Sequence, residues 1–242
     1  MTGAPMPSLF EAYITNAGKY AEGRLVGETL KFPTSTQEVQ ALLKRIGVDG
    51  VRYEEYFITS FDGDVLGLYD HLYEYASLDE LNHLACLLSE LTPEEIATFE
   101  AVINKGDHTS SVAELINLTQ NLDCYEFFPG VDDDETLGQI YVEEMEMLDV
   151  PENVLPYFNF EDYGRDVRLN EGGHLAPGGY VRATGEKFVE HYHGPEDIPP
   201  EHKVFAFPKL SLRERLAAYK EVSGRAAAEP SKPTPEHGHD NR

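Results

Sequence analysis

The sequence predicts an α+β protein built as three small modules in a row (α/β, all-α, α/β), an elongated acidic molecule with a flexible C-terminal extension. Three observations carry that prediction. Aromatic and β-branched runs lie in the first and third parts of the chain, cap signals with helical periodicity fill the middle, and the composition changes after Glu186. The boundaries that follow are 1–61, 62–106, 107–185 and 186–242.

Leu9 to Ile14 reads as a short strand, with Gly18, Gly23 and Gly27 punctuating turns behind it. Ser35 and Glu38 form an S-x-x-E capping box ahead of Val39, Leu42, Leu43 and Ile46, and Gly47 supplies a stop. Strand character returns from Val51 to Phe61. In the second module Ser77 and Glu80 open a helix through Leu81, Leu84, Leu88 and Leu91. Thr92, Pro93 and Glu95 give the cap, N1 proline and N3 glutamate of the next, which carries Ile96, Phe99, Val102 and Ile103 and ends at Lys105 and Gly106. Just past that boundary, Ser111 and Glu114 open a further helix through Val112, Leu115, Ile116 and Leu118.

In the third module Asn121 to Phe128 reads as a strand. An acidic turn, Asp132 to Glu135, leads into a helix through Leu137, Ile140, Tyr141, Met145 and Leu148, which Pro151 ends. Tyr157 to Val167 reads as irregular and aromatic, and Gly179 to Thr184 as a closing strand. The extension allows one short amphipathic helix, Ser211 to Val222. Beyond Ser223 its Ala, Pro and charge predict disorder.

The charge is the most informative feature. Between Tyr53 and Gly164 stand 27 aspartates and glutamates against one lysine, Lys105, so this run carries −26 while the whole chain carries −25. Such a chain folds against its own repulsion. The acids lie within patterned elements and not in a tail, and the i,i+4 lysines that would stabilise exposed helices are missing. A duplex carries one charge per ~1.7 Å of axis, so 26 charges match roughly 45 Å of it. A rigid polyanion of this kind fits the groove of a DNA-binding protein, where basic side chains would meet carboxylates in place of phosphates. A pI near 4.6 argues against binding nucleic acid or an anionic membrane directly. No apolar stretch reaches the ~18 residues of a span, and Met1 to Ser8 has no signal-peptide pattern. Cys86 and Cys124 stand in apolar helical contexts and read as reduced core residues, which suits a cytoplasmic address.

Three stretches resemble the ArdA antirestriction proteins, acidic DNA mimics of mobile elements. The first is Ala12-Tyr13-Ile14 with Asn16, Tyr20, Gly23, Leu25 and Gly27. The second is Leu78 to Leu91, with Glu80-Leu81-Asn82 and Leu84. The third and most specific is Leu137-Gly138, then Val142-Glu143-Glu144, Leu148, Pro151, Tyr157, Tyr163 and Gly164-Arg165-Asp166. Together they cover roughly residues 9–183. The resemblance implies a homodimer that binds type I restriction–modification enzymes in place of DNA, with no cofactor and no catalysis. The acids expected to face the partner are Glu94, Glu95, Glu100, Asp107, Glu114, Asp132, Asp133, Asp134, Glu135, Glu143, Glu144 and Glu146. By the same analogy Leu137, Gly138, Tyr141, Val142, Met145, Leu148, Pro151, Tyr157, Gly164, Arg165 and Asp166 mark the antirestriction region and dimer contact. The alternative is an acidic module for another basic partner, such as a nucleoid protein or transcription factor.

Enzymatic readings are weaker. Glu143 and Glu144 are helix neighbours about 100° apart, poorly placed to share a proton. Asp132, Asp134, Thr136 and Glu143 fit a calcium-loop spacing, but Leu137 stands where that loop needs glycine. His191, His193 and His202 with Glu190, or His237 with His239, are too loosely spaced to predict a metal. Arg165, isolated among acids, is expected to pair with Asp166 or Glu161.

Overall fold

The computed structural model describes residues 8–228. It is a mixed α+β structure with two three-stranded antiparallel sheets and helices between them.

The first sheet has the order β2-β1-β3, with β1 Phe10–Asn16, β2 Gly27–Phe32 and β3 Tyr56–Gly63. Alternation along β1 sends Phe10, Ala12 and Ile14 inward, where Phe10 stacks on its strand partner Phe32 at 5.2 Å. A short helix, α1 (Ala17–Ala21), follows β1, and Gly18 and Gly27 lie in α1 and β2, so only Gly23 of the three glycines forms a turn. Helix α2 (Thr36–Ile46) starts at the Ser35 hydroxyl and stops at Gly47, whose φ of 84° suits glycine. Its last carbonyl, Ile46 O, accepts from Asn16 Nδ2 at 3.2 Å and Lys19 Nζ at 2.7 Å, which answers the unpaired C-terminal end. The strand expected from Val51 begins at Tyr56, because Asp49 holds the preceding loop through the N–H groups of Val51 and Arg52.

Helices α3 (Leu78–Glu90), α4 (Pro93–Lys105) and α5 (Val112–Thr119) follow where the caps place them. Thr92 and Glu95 form a complete reciprocal box, Ser111 accepts from Glu114 N, and Ser77 makes no side-chain cap bond. One continuous core joins the first sheet to these helices and reaches Ala176 and Val181 of the second sheet.

The second sheet has the order β4-β6-β5, with β4 Tyr125–Pro129, β5 His174–Ala176 and β6 Gly179–Ala183. The strand expected from Asn121 is shortened by a 3-10 turn at Leu122–Cys124. The helix expected through Leu148 is shorter as well. Helix α6 (Asp134–Gln139) passes into a π-helical turn over Ile140–Glu144, and Glu146 takes φ 52°. The segment expected to be irregular up to Val167 is instead helix α7, Phe160–Glu171. Asn159 caps it by accepting from Asp162 N, and Gly172 closes it in the left-handed region. Helices α6 and α7 meet backbone to backbone at Gly138 and Gly164. A Cβ on Gly164 would overlap the Asp134 carbonyl, and one on Gly138 the Phe160 carbonyl.

The extension folds back across the molecule. Tyr192, Ile198 and Val204 enter the main core, and His202 Nδ1 meets the buried His83 Nδ1 at 2.8 Å. Helix α8 (Leu212–Ala228) then packs on the first module, with Glu214 paired to Lys44, Glu221 to Arg52 and Arg225 to Glu22. It runs past Val222, where disorder was expected to begin; residues 229–242 of that stretch, with His237 and His239, lie outside the described residues.

Two outcomes follow. Gly164→Ala forces the α6–α7 crossing apart and lowers stability by about 1–3 kcal/mol, read from the urea midpoint. Burial and the neighbouring His202 hold the His83 imidazole below its ordinary range. The unfolded chain therefore binds that proton first, so stability falls as pH drops through about 6.5. His83→Gln should lose less stability than the parent between about pH 7.5 and about pH 5.5, measured the same way.

Candidate partner-binding surface

Local sequence decides which carboxylates stay free. A carboxylate at a helix start finds unpaired backbone N–H groups within reach and turns toward them. Glu95 accepts from Thr92 N at 2.8 Å, Glu114 from Ser110 N at 2.9 Å and Asp133 from Thr136 N at 2.7 Å. The N–H bonds hold the Glu95 and Asp133 carboxyls below their usual range. Glu100 is half-buried and accepts from Leu66 N at 2.8 Å; burial pushes its carboxyl up despite that bond.

Asp107 and Asp134 are engaged by cations. Asp107 pairs with Lys105 at 2.7 Å, so the one base of the acidic run is already used. Asp134 receives both Nε and Nη2 of Arg168, at 2.7 and 2.9 Å, and this bidentate contact holds its carboxyl down. The remaining expected acids, Glu94, Asp132, Glu135, Glu143, Glu144 and Glu146, are exposed, and their side chains make no hydrogen bond among the described residues. Sequence reasoning thus grouped twelve acids that the fold separates into free, backbone-bonded and ion-paired sets. It also passed over exposed acids on the first and second modules, among them Glu54, Glu55, Asp64, Asp70 and Glu74, which only the overall charge run signals.

Of the 27 acids in the run, Asp107, Glu126, Asp134 and Asp162 pair with a lysine or arginine, and the other 23 have no such partner among the described residues. Backbone hydrogen bonds fix a carboxylate without cancelling its charge, so the field survives folding.

The residues marked for the antirestriction region divide in two. Leu137, Gly138, Tyr141, Val142 and Gly164 are buried inside the third module. Tyr141 donates to Glu171 at 2.7 Å and accepts from Arg182 at 2.7 Å, while Arg182 also bonds Glu171 at 2.6 Å and Glu126 at 2.7 Å. Burial and the Glu171 carboxylate push the Tyr141 phenol far above its ordinary range. Glu171 and Arg182, which no motif flagged, are the centre of this network. Met145 is half-buried, whereas Leu148, Pro151, Tyr157, Arg165 and Asp166 are exposed, Tyr157 at 87%. Leu148 lies in an open hollow with Val142, Val150 and Leu155, rimmed by Glu143, Glu146, Asp149 and Glu152. Arg165 pairs with Asp162, three residues before it on helix α7, and with neither expected partner.

Residues 134–144 of the calcium-like spacing are helical and Leu137 is buried. His202 faces His83, His193 faces Asp197, and no group of three His, Cys, Asp or Glu suited to a metal occurs among the described residues. Cys86 and Cys124 are free thiols, and no helix among the described residues is long and apolar enough to cross a membrane.

Comparison with known proteins gives one finding. The family model for the antirestriction protein ArdA matches residues 12–182. No curated protein matches the chain.

The free and the paired acids should respond unequally to neutralisation. Asp134→Asn leaves Arg168 unpaired and should cost about 1.5–3 kcal/mol. Glu144→Gln should stay within about 0.5 kcal/mol of the parent. Thermal melts at low and moderate salt check both, with the parent itself rising in Tm as salt screens its repulsion.

Proposed function

Because the chain belongs to the ArdA antirestriction family, we propose that it inhibits type I restriction–modification enzymes by occupying their DNA-binding groove, and so protects incoming mobile DNA. The observation that carries this reading is the set of 23 acids, held on ordered elements and turns, that have no lysine or arginine partner among the described residues. A groove lined with lysine and arginine binds phosphate largely through charge and counterion release. Carboxylates fixed on helices and strands offer the same charge with little ordering left to do on binding, which favours affinity. Steering by the summed field raises the association rate. The inhibitor acts stoichiometrically in the cytoplasm, needs no cofactor, and does no chemistry.

The faces most suited to the contact carry Glu94 on α4, Asp132 and Glu135 at the start of α6, and Glu143, Glu144 and Glu146 beyond it. A second copy docks at the exposed apolar residues of the third module, Met147, Leu148, Val154 and Tyr157, which a folded monomer leaves in water. An acidic module for some other basic DNA-binding protein would share the charge but not the competition with duplex for a restriction enzyme.

The test is displacement. Titrating the protein into a type I enzyme bound to labelled duplex should release the duplex near one dimer per DNA-binding core, and less readily as salt rises. Any one of the six named acids changed to its amide should shift the half-release point less than about fivefold, since an exposed charge contributes ~1 kcal/mol at most. All six changed together should shift it more than about tenfold. No displacement at micromolar protein would remove the type I assignment.

A further inference from the structure

Residues 187–205 cross the groove between α3 and α5 without joining any strand, their run broken by 3-10 turns at Pro195–Asp197 and Pro200–His202, and side chains read their main chain. Asn117 Oδ1 accepts from His191 N at 2.7 Å and Tyr192 N at 2.8 Å, and its Nδ2 donates to Tyr192 O at 2.8 Å. Asn121 treats Val189 the same way, accepting from its N–H at 2.8 Å and donating to its carbonyl at 2.9 Å. Farther along, Asn82 Nδ2 donates to His202 O at 2.9 Å, and Asp79 Oδ1 accepts from Val204 N and Phe205 N at 2.6 and 2.7 Å. The three asparagines are 1%, 4% and 3% exposed for Asn82, Asn117 and Asn121.

A carboxamide presents the donor and acceptor of a peptide unit, so a buried asparagine stands in for a neighbouring strand. Burying it is tolerable only when both groups are satisfied. Here the satisfying groups belong largely to the crossing segment. Specificity beyond the main chain comes from Tyr192, Ile198 and Val204, which enter the core six residues apart, while Glu190, His191 and His193 point to water. The segment lies wholly outside the family match, which ends at 182, and it is joined to β6 by the exposed loop at Gly185, whose φ is 89°.

We infer that the α3–α5 groove is a binding site for a polypeptide segment, filled in cis by residues 187–205, and that the same segment of a second copy can fill it in trans. The second copy is the fitting occupant because its anchors repeat the same six-residue spacing. The short covalent link holds the cis segment at an effective concentration on the order of millimolar, so the groove stays occupied in the isolated chain. Exchange between copies needs only the loop at Gly185 to reverse.

The experiment uses the full chain and a fluorescein-labelled synthetic peptide with the sequence of residues 187–206. Tyr192→Ala with Val204→Ala weakens the cis occupant and leaves the groove untouched. That variant should bind the peptide at least about tenfold more tightly than the parent, whose groove is filled. Adding Asn117→Ala should abolish the gain. Equal binding to parent and variant, or none to a variant that still melts cooperatively, would overturn the inference. Hydrogen exchange on the unmodified chain decides the matter if the variant fails to fold. The amides of His191, Tyr192, Val204 and Phe205 should then open together, before those of α3 and α5. Opening only with global unfolding would make the segment an ordinary part of the core and sink the proposal.

Discussion

Like-charge repulsion among the carboxylates of residues 54–162 constrains everything else in this molecule. Folding brings 27 acids closer together than the unfolded chain does, with one lysine to relieve them. Screening over ~8 Å at physiological salt softens the penalty without removing it. The compensation is visible in two places. One is the apolar core, which runs uninterrupted from Phe10 in the first sheet through α3, α4 and α5 to Val181 in the second. Three separate small cores would each bury a smaller share of their surface. The other is the use of carboxylates as caps, so that Glu95, Glu114 and Asp133 return hydrogen bonds for the repulsion they bring.

How much of this was legible depends on how far apart the interacting residues lie in the chain. Thr92 and Glu95 are three residues apart, and their box is readable because both partners belong to one turn. Asp133 looks like a surface acid and is also a cap, again a local fact. Asp134 looks identical in sequence, but its partner Arg168 is 34 residues on, in a helix the sequence did not predict. Helix α7 escaped notice because Phe158, Phe160 and Tyr163 gave an aromatic cluster with no clear helical stripe. Its true signal was the Asn159–Asp162 cap. The same pairing of α6 with α7 explains the glycines: Gly138 and Gly164 read as motif letters, and their physical reason is a backbone contact with no room for a side chain.

The extension shows a different failure of local reading. Its anchors Tyr192, Ile198 and Val204 have neither a period of 2 nor one of 3.6, so no pattern marks them as core. Their partners Asn82, Asn117 and Asn121 sit in or beside amphipathic helices, where polar residues are normally solvated. Low net charge and abundant proline made the whole stretch look like a tail. Proline here opens the 3-10 turns at Pro195–Asp197 and Pro200–His202, and side chains of α3 and α5 supply main-chain partners that a ladder would otherwise give.

Cap bonding and partner binding use the same carboxylates without conflict, and this joins the fold to the function. An N–H bond to Glu95 or Glu114 orders the side chain but leaves its charge whole. An ion pair such as Asp134–Arg168 orders the side chain and cancels the charge. A protein selected only for stability would use the second device freely, with lysines along every exposed helix. Among the described residues it is used for four acids of the run, at Asp107, Glu126, Asp134 and Asp162, and three of those pairs take their cation from the third module's arginines. Elsewhere in the run the chain orders acids with backbone N–H or, at Glu80, a tyrosine hydroxyl, or leaves them in water. That choice keeps the field intact and the charges in place, which is the combination a rigid substitute for a polyanion requires.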